Sequence, residues 1–239
     1  MILNLLHLGR IDYLAALALQ KQLVEARHAG QIGNTLLLLE HPPVLTLGRN
    51  SHRENVLASD EFLAYRGVEI HEINRGGDVT YHGPGQLVGY PILDLRSFSP
   101  RPGAVDYVRM LEEVLIRACA DYGVCAQRIA GRTGVWTFAG GSIPEKKVAA
   151  IGVHISRGIT SHGFAMNVTT DLRDFELIVP CGSTDRSVTS LELETDPDAQ
   201  LTATMENTIN SVARHFGRVF EHQVLWLDSV EALLGAATR

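Results

Sequence analysis

The chain has 239 residues, of which 45% are hydrophobic and 20% are charged. These values are typical of a globular protein with a substantial core and exclude a disordered chain. The net charge of −6 argues against general nucleic-acid binding, which requires a strongly basic face. Membrane insertion and secretion are also not expected, because the sequence contains neither an apolar run of roughly 18–20 residues nor a signal-peptide pattern.

Hydrophobic periodicity predicts helices and strands in an order that is not strict β-α-β alternation. In the first helix, Asp12 is placed to cap the start, Gly30 is placed to end it, and Leu14, Leu17 and Ala18 share one face. Because the strands are grouped, we expect an α/β (α+β) fold with a mixed, largely antiparallel sheet in a single domain, residues 1–239. The predicted helices span residues 11–29, 105–122 and 202–216, with a short one after residue 228, and the predicted strands span residues 1–7, 35–40, 44–47, 68–73, 86–95, 134–138, 147–155 and 161–168.

Three cysteines, an odd number without a C-x-x-C pair, predict neither a disulfide framework nor a zinc site. We therefore expect a cytoplasmic protein without a metal or a cofactor. Cys119 and Cys125 fit buried structural positions. Cys181 differs, because it lies between Pro180 and Gly182 in a predicted turn, where nearby backbone N–H groups could bind an oxyanion.

A cysteine is a nucleophile only as its thiolate, which a neighbouring ammonium stabilises. Lys147 begins a predicted strand and is the candidate for that role. Strand alternation places Lys146 and Lys147 on opposite faces, but spacing does not decide which of them faces the packed side.

The segment from Arg75 to Gly85 contains four glycines in eleven residues. It matches neither phosphate-loop pattern and leads into a predicted strand, so we expect a channel of bare backbone for an extended acyl or pantetheine-like ligand. Among the histidines, His82 and His162 lie beside glycines. A Cys–His protease dyad of Cys181 and His162, with Asn167 orienting the base, is the competing interpretation of the same residues.

These residues together resemble the lipoyl/octanoyl transferase family, the octanoyl-[acyl-carrier-protein]–protein N-octanoyltransferases. The similarity runs in order through roughly residues 35–191. The matching stretches are residues 41–49, 75–91, 147–153, 161–168, 179–182 and 187–191.

The resemblance implies the fold of the biotin and lipoate protein ligase catalytic domains. It also implies transfer of octanoyl (or lipoyl) from octanoyl-acyl carrier protein to a lysine of lipoyl domains, in 2-oxoacid dehydrogenase complexes and the glycine cleavage H protein. Cys181 matches the acyl-thioester cysteine and Lys147 the lysine that tunes it. Asp78 departs from the family pattern, in which we expect a neutral or basic residue. The implied substrate contacts are Arg75, Gly76, Gly77, Asp78, Val79, Thr80, Tyr81, His82, Ala150, Ile151, Gly152, Gly163, Phe164 and Ala165.

Two acyl transfers would follow, first to Cys181 and then to the acceptor lysine. The acceptor amine needs a base, for which a buried Lys147 is the first choice and His162 the second. The alternatives are an ATP-dependent lipoate–protein ligase and a Cys–His acyl hydrolase. Since both protein substrates are typically acidic, we expect arginines to border the opening, namely Arg49, Arg75, Arg157 or Arg186.

Overall fold

A computed structural model describes residues 1–138, 144–179, 187–196, 198–199 and 201–235. Within these ranges the chain forms eleven β-strands and six α-helices. The strands are β1 (Ile2–Arg10), β2 (Asn34–Glu40), β3 (Val44–Leu47), β4 (Glu69–Glu72), β5 (Val79–His82), β6 (Gln86–Ile92), β7 (Ala126–Ile129), β8 (Arg132–Thr137), β9 (Lys147–Ser156), β10 (Ile159–Asn167) and β11 (Gln223–Trp226). The helices are α1 (Tyr13–His28), α2 (Asp60–Tyr65), α3 (Ala104–Ala120), α4 (Leu191–Glu194), α5 (Met205–Val219) and α6 (Val230–Gly235).

Eight of these strands form one sheet in the order β11-β1-β2-β6-β10-β9-β8-β7. β1 pairs in parallel with β2 and β11, and the remaining neighbours are antiparallel. A second sheet has the order β4-β3-β5, with β3 parallel to β4 and antiparallel to β5. The predicted class, a mixed and largely antiparallel sheet with packed helices, is therefore confirmed.

The large sheet is covered on both faces, which explains the continuous apolar run of β2. Leu36 and Leu38 pack with α3 and α5, whereas Leu37 and Leu39 pack with α1 and α6. Side chains alternate along a strand, so each face of β2 must supply leucines to its own core. The small sheet has a third core, which it shares with Phe175 and its neighbours in a 3-10 turn.

Helix α1 begins and ends as predicted, but its inward face differs. Asp12 accepts a hydrogen bond from the backbone N–H of Ala15 (3.0 Å), and Gly30 adopts a left-handed φ of +72°. The predicted face was wrong, because Leu14 and Ala18 are exposed. Tyr13, Ala16, Gln20, Leu23 and Ala26 are buried instead. The inward stripe includes a tyrosine and a glutamine, which apolar periodicity does not detect.

Two further expectations concern the cysteines and the membrane. Cys119 is buried, as predicted, but Cys125 is exposed because it lies in the turn that precedes β7, outside the packed face of α3. Across the described ranges, no helix combines the length and the apolar character needed to cross a membrane.

Candidate active site

A cavity of about 190 Å³ opens between the two sheets. Its walls come from β5 of the small sheet, from β6, β9 and β10 of the large sheet, and from the loop before β5. Three of the predicted chemical side chains, Lys147, His162 and Asn167, line it together. The predicted substrate contacts that also line it are Arg75, Gly77, Asp78, Val79, Thr80, His82, Ala150, Ile151, Gly152, Gly163, Phe164 and Ala165.

Two predicted substrate contacts, Gly76 and Tyr81, are not part of the cavity lining. The N–H of Gly76 donates to the carbonyl oxygen of Val153 (3.0 Å). Tyr81 is 1% exposed and its hydroxyl donates to Oδ2 of Asp174 (2.6 Å) in the core of the small sheet. Successive residues of β5 point to opposite faces, so Tyr81 is directed away from the cavity that Thr80 and His82 reach.

The loop from Arg75 to Asp78 connects the two sheets at the cavity. The buried guanidinium of Arg75 donates from Nη2 to the carbonyl oxygen of Thr46 in β3 (2.7 Å) and to its Oγ1 (2.9 Å). From the same loop, Gly76 is hydrogen-bonded to β9 through the contact with Val153 described above. A Cβ added to Gly152 of β9 would lie 2.8 Å from the carbonyl oxygen of Gly76, so glycine is required for this close approach. The predicted role of these glycines changes accordingly, since Gly152 admits a neighbouring backbone as well as lining the cavity.

Lys147 and Lys146 lie in different surroundings, which settles the ambiguity left by strand alternation. Lys146 pairs with Oε1 of Glu194 at 3.2 Å, and its side chain is 39% exposed. Lys147 lines the cavity, and its Nζ lies 4.7 Å from the ring centroid of Trp136. Its backbone donates to the carbonyl oxygen of Ser187 (3.0 Å).

Of the tetrapeptide at residues 179–182, only Val179 is described. Cys181 lies outside the described residues, and so does Arg186. The residues on either side of this segment are described. The N–H of Val179 donates to the carbonyl oxygen of Asn55 (2.8 Å), and Nδ2 of Asn55 donates to the carboxylate of Asp78 (2.8 Å) at the cavity wall. On the other side, Ser187 bonds Lys147, and Val188 lines the cavity. Both flanks of the segment are thus attached to the walls of the same cavity.

Of the arginines expected at the opening, Arg186 lies outside the described residues, and Arg49, Arg75 and Arg157 do not border the cavity as expected. Arg75 lines it but is 7% exposed, so it belongs to the interior. Arg157 pairs with Glu25 (3.2 Å), and neither Arg157 nor Arg49 is among the lining residues. Arg132 at the start of β8 is exposed and lines the cavity, with its guanidinium carbon 5.6 Å from the ring centroid of Trp136.

Arg132 and Trp136 are therefore among the lining residues that sequence reasoning missed, together with Tyr13, Thr133 and Phe175. The available signal was a tryptophan, one of two in the chain, in the predicted strand that precedes Lys147.

A family model described as the lipoyl protein ligase A/B catalytic domain matches residues 12–217. The chain belongs to this family. The range includes β2 to β10, and hence every wall of the cavity. The family resemblance inferred from the motifs is confirmed.

The chain is similar at high identity to proteins named octanoyltransferase. An octanoyltransferase of Acidobacterium capsulatum is 76% identical over 239 residues, covering 98% of this chain and 96% of that protein. An octanoyltransferase of Koribacter versatilis is 55% identical over 232 residues, covering 97% of this chain and 90% of that protein.

Solved structures of the lipoyl protein ligase A/B type share the fold at low identity. One is an archaeal lipoylation system from Thermoplasma acidophilum, described as a bi-partite lipoate protein ligase and its E2 lipoyl domain. It gives a TM-score of 0.74 at 19% identity, covering 99% of this chain and 91% of that chain. A lipoate-protein ligase A bound with ATP gives 0.73 at 16% identity, covering 99% and 93%.

In this lipoyl protein ligase A/B domain, a chain of amides connects His82 to the segment beside Lys147. Nδ1 of His82 and Oε1 of Gln86 are 2.7 Å apart, and because an amide oxygen only accepts, the ring nitrogen donates. Nε2 of Gln86 donates to Oδ1 of Asn167 (3.0 Å), and Nδ2 of Asn167 donates to the carbonyl oxygen of Thr189 (2.9 Å). Asn167 thus supports the backbone that returns to Lys147, a different contact from the expected one with His162.

His162 is held by two elements that flank the cavity. Its backbone N–H donates to Oε1 of Gln20 on α1 (2.8 Å), and its Nε2 lies 2.8 Å from Oδ1 of Asn74. The amide oxygen of Asn74 only accepts, so Nε2 carries the proton and Nδ1 is the basic nitrogen. His162 adopts a left-handed φ of +54°, a strained conformation for a non-glycine residue.

Burial keeps the cavity histidines neutral. It lowers the pKa of His82 to about 3, with further lowering by His41 and Arg75. It lowers the pKa of His162 to about 4, with Arg75 and His154 acting in the same direction. A histidine with so low a pKa is a weak proton acceptor, so these two rings are suited to hydrogen bonding more than to deprotonating an amine.

Proposed function

We propose that this enzyme transfers octanoyl from acyl carrier protein to a lysine of a lipoyl domain, through a thioester on Cys181. The chain is an acyltransferase, an octanoyltransferase of protein lipoylation, as are its relatives of high identity. The carrier donor, the acceptors and the covalent step are the parts that need testing. The acceptors we propose are the lipoyl domains of 2-oxoacid dehydrogenase complexes and the glycine cleavage H protein.

The observation that carries the covalent step is the attachment of both flanks of the Cys181 segment to the cavity that contains Lys147. Val179 precedes the cysteine by two residues and is tied, through Asn55, to Asp78 of the cavity wall. Ser187 follows it by six residues and bonds the backbone of Lys147. These two anchors support the assignment of Cys181 as the nucleophile that acts together with Lys147.

The composition of the cavity supports an acyl ligand with one polar end. Val79, Val88, Ile151, Phe164 and Phe175 supply apolar wall, against which an alkyl chain is removed from water. Lys147, His82 and Asn167 are among the polar residues of the same lining, and we assign the binding of the thioester carbonyl to them. An apolar wall combined with polar groups that fix the orientation of a ligand is typical of small-ligand sites.

In the first transfer, the thiolate of Cys181 attacks the thioester carbonyl of the donor. A new carbon–sulfur bond forms, the old one breaks, and the pantetheine thiolate leaves with a proton from the Lys147 ammonium. One thioester replaces another, so positioning and oxyanion stabilisation contribute more than driving force.

In the second transfer, the amine of the acceptor lysine attacks the Cys181 thioester. The amide forms, the cysteine thiolate leaves, and the excess proton of the attacking nitrogen passes to neutral Lys147. Lys147 is the preferred base because a lysine amine is far more basic than His162, whose pKa burial lowers to about 4.

The proposal treats the chain as one catalytic domain, since the site is built from both sheets. We place the enzyme in the cytoplasm because Cys125 is an exposed free thiol, a state that reducing compartments maintain.

Intact-mass measurement after incubation with octanoyl-acyl carrier protein tests the covalent step. The enzyme should gain one octanoyl group, Cys181→Ser should gain none, and Cys125→Ser should behave as the unmodified chain. An adduct that persists in Cys181→Ser would assign the nucleophile elsewhere.

Two other activities have distinct signatures in the same assay. An ATP-dependent lipoate ligase, an activity known for this fold, would modify a lipoyl domain when given lipoate and ATP without the carrier protein. A Cys–His hydrolase would release octanoate in the absence of a lipoyl domain. We expect both reactions to be slower than carrier-dependent transfer.

A further inference from the structure

Trp136 and Lys147 are neighbours across the hairpin of β8 and β9. The two residues are paired in the strand register, next to a bulge between Val135 and Trp136. Paired residues of antiparallel strands project their side chains to the same side of the sheet. Trp136 is 1% exposed, and the Nζ of Lys147 lies 4.7 Å from its ring centroid, within the range of a cation–π contact.

The stem of Lys147 has a defined path to that ring. A Cβ added to Gly134 would lie 3.5 Å from Cε and 3.7 Å from Cδ of Lys147, so the stem passes beside this glycine. The φ of Gly134 is +120°, which a side chain rarely adopts, and the same Cβ would lie 2.7 Å from the carbonyl oxygen of Ala149. Glycine is therefore required at position 134 by its φ and by the carbonyl of Ala149, and the lysine stem passes it at van der Waals distance.

A buried carboxylate fixes β8 at this position. Glu112 of α3 is 0% exposed, and its Oε1 accepts from the N–H of Gly134 (3.1 Å). Arg109 and Arg128 neutralise it from outside, at 2.6 Å and 3.3 Å from Oε2. A charge buried in this way is tolerated only when paired and hydrogen-bonded, so the anchor is a rigid one. The indole ring is accordingly held by the fold before any substrate arrives.

We propose that Trp136 is a positioning residue for Lys147, whose ammonium it holds over its ring at the cavity wall and favours over the neutral amine. The inference rests on the proposed function only in that Lys147 exchanges protons during acyl transfer. The ring attracts a cation but not an uncharged amine. Trp136 therefore contributes to the place of the nitrogen and to the pH at which it gives up its proton, against the opposing charge of Arg132, whose guanidinium carbon lies 5.6 Å from the same ring centroid.

A spectroscopic titration without any substrate tests the contact. The chain has two tryptophans, and Trp226 is 47% exposed on β11 at the far edge of the sheet, so Trp226→Phe leaves Trp136 as the one indole emitter. In that background the emission should change with pH in the alkaline range. Tyrosine ionisation in the same range contributes to every variant, so the contribution of Lys147 is read as a difference between variants. The change should be smaller in Lys147→Met and keep its size in Lys146→Met. If Lys147→Met and the starting variant show equal changes, the proposal is wrong.

Kinetics then test the consequence for transfer. Trp136→Phe keeps an aromatic face and should retain most of the turnover, whereas Trp136→Leu should lose at least about tenfold in kcat with little change in KM. The limb of the pH–rate profile that reports Lys147 should move to lower pH by about 0.5–1 unit in Trp136→Leu, the size of a cation–π contribution. Equal losses in both variants, with an unmoved limb, would indicate a packing role and contradict the proposal.

Failure of one experiment does not imply failure of the other. The fluorescence titration does not depend on the reaction, so it can succeed if the enzyme proves to have another acyl donor. Trp226→Leu is the matched control for removal of an indole and should leave both turnover and the pH profile unchanged.

Discussion

The side-chain amide of Asn167 donates a 2.9 Å hydrogen bond to the carbonyl oxygen of Thr189. The N–H of Thr189 in turn donates to the carbonyl oxygen of Lys147 (2.9 Å). Asn167 therefore fixes, from inside the sheet, the chain that leaves the Cys181 segment and pairs with Lys147. It is 4% exposed, so water does not replace its hydrogen bonds when they are broken.

The first prediction concerns that amide. Asn167→Ala should lower the free energy of unfolding by about 1–3 kcal/mol, because the carbonyl of Thr189 and the amide of Gln86 lose a buried partner. Octanoyl transfer should fall as well, since the backbone beside Lys147 loses a support. Urea unfolding and a transfer assay measure the two effects. Asn207→Ala is the control, because its amide also donates to a backbone carbonyl, that of Thr202, but at an exposed position on α5.

The second prediction concerns the two adjacent lysines. Lys147→Arg should lower turnover by about 10²–10⁴-fold, because a guanidinium keeps the positive charge but does not exchange protons near neutral pH. Lys146→Arg should stay close to the unmodified enzyme, since the ion pair with Glu194 tolerates either cation. Single-turnover acylation and transfer to a lipoyl domain should be measured separately. Near-normal rates for Lys147→Arg would remove its acid–base role.

The third prediction is a loss of stability in mild acid. Burial lowers the pKa of His41 to about 4 from an ordinary value of 6.5. The unfolded chain therefore binds the proton first as the pH falls, so stability is present above about pH 6.5 and is lost progressively toward about pH 4. Between about pH 7 and pH 5, this histidine should lower the free energy of unfolding by about 2 kcal/mol. His82 and His162 act in the same direction, with pKa values lowered to about 3 and about 4.

Unfolding by urea at several pH values measures this dependence. His41→Gln should reduce the slope of stability against pH, even though the variant starts from a lower stability. His7→Gln is the control because His7 is exposed on β1. An unchanged slope in His41→Gln would show that the acid sensitivity arises elsewhere.

The fourth prediction concerns partner association. Arg132 is exposed beside the cavity, and both protein substrates are expected to be acidic. Arg132→Glu should raise KM several-fold and weaken the dependence of kcat/KM on salt, because charges at the rim of an interface act mainly on association. Arg157→Glu should have a smaller effect, since Arg157 is not among the cavity-lining residues. Equal effects of the two variants would indicate a general charge effect instead of a local one.

Much of the fold follows from the sequence because its elements have strong periodic or continuous apolar patterns. The leucines of β2 are an example, since a strand covered on both faces needs no polar alternation. The inward face of α1 could not be predicted in the same way. Gln20 is buried there because its Oε1 accepts a hydrogen bond from the backbone N–H of His162, a partner that lies 142 residues away in the sequence.

The site was predictable where a family motif carried it and much less where strand register decides it. Lys147 could be chosen over Lys146 only by resemblance, because both choices satisfy strand alternation. Trp136 could not be paired with Lys147 from spacing, since an extra residue in β9, Val148, shifts the register next to the contact. Cys181 remains a prediction, as it lies outside the described residues.

The loop that begins at Arg75 is hydrogen-bonded to both sheets. Its guanidinium is bonded to β3 of the small sheet, and the next residue is bonded to β9 of the large one. A ligand that fills the cavity therefore contacts both sheets at once, and its binding free energy adds to the stability of each. A ligand bound in the cavity should consequently slow proteolysis in the small sheet as well as in the large one.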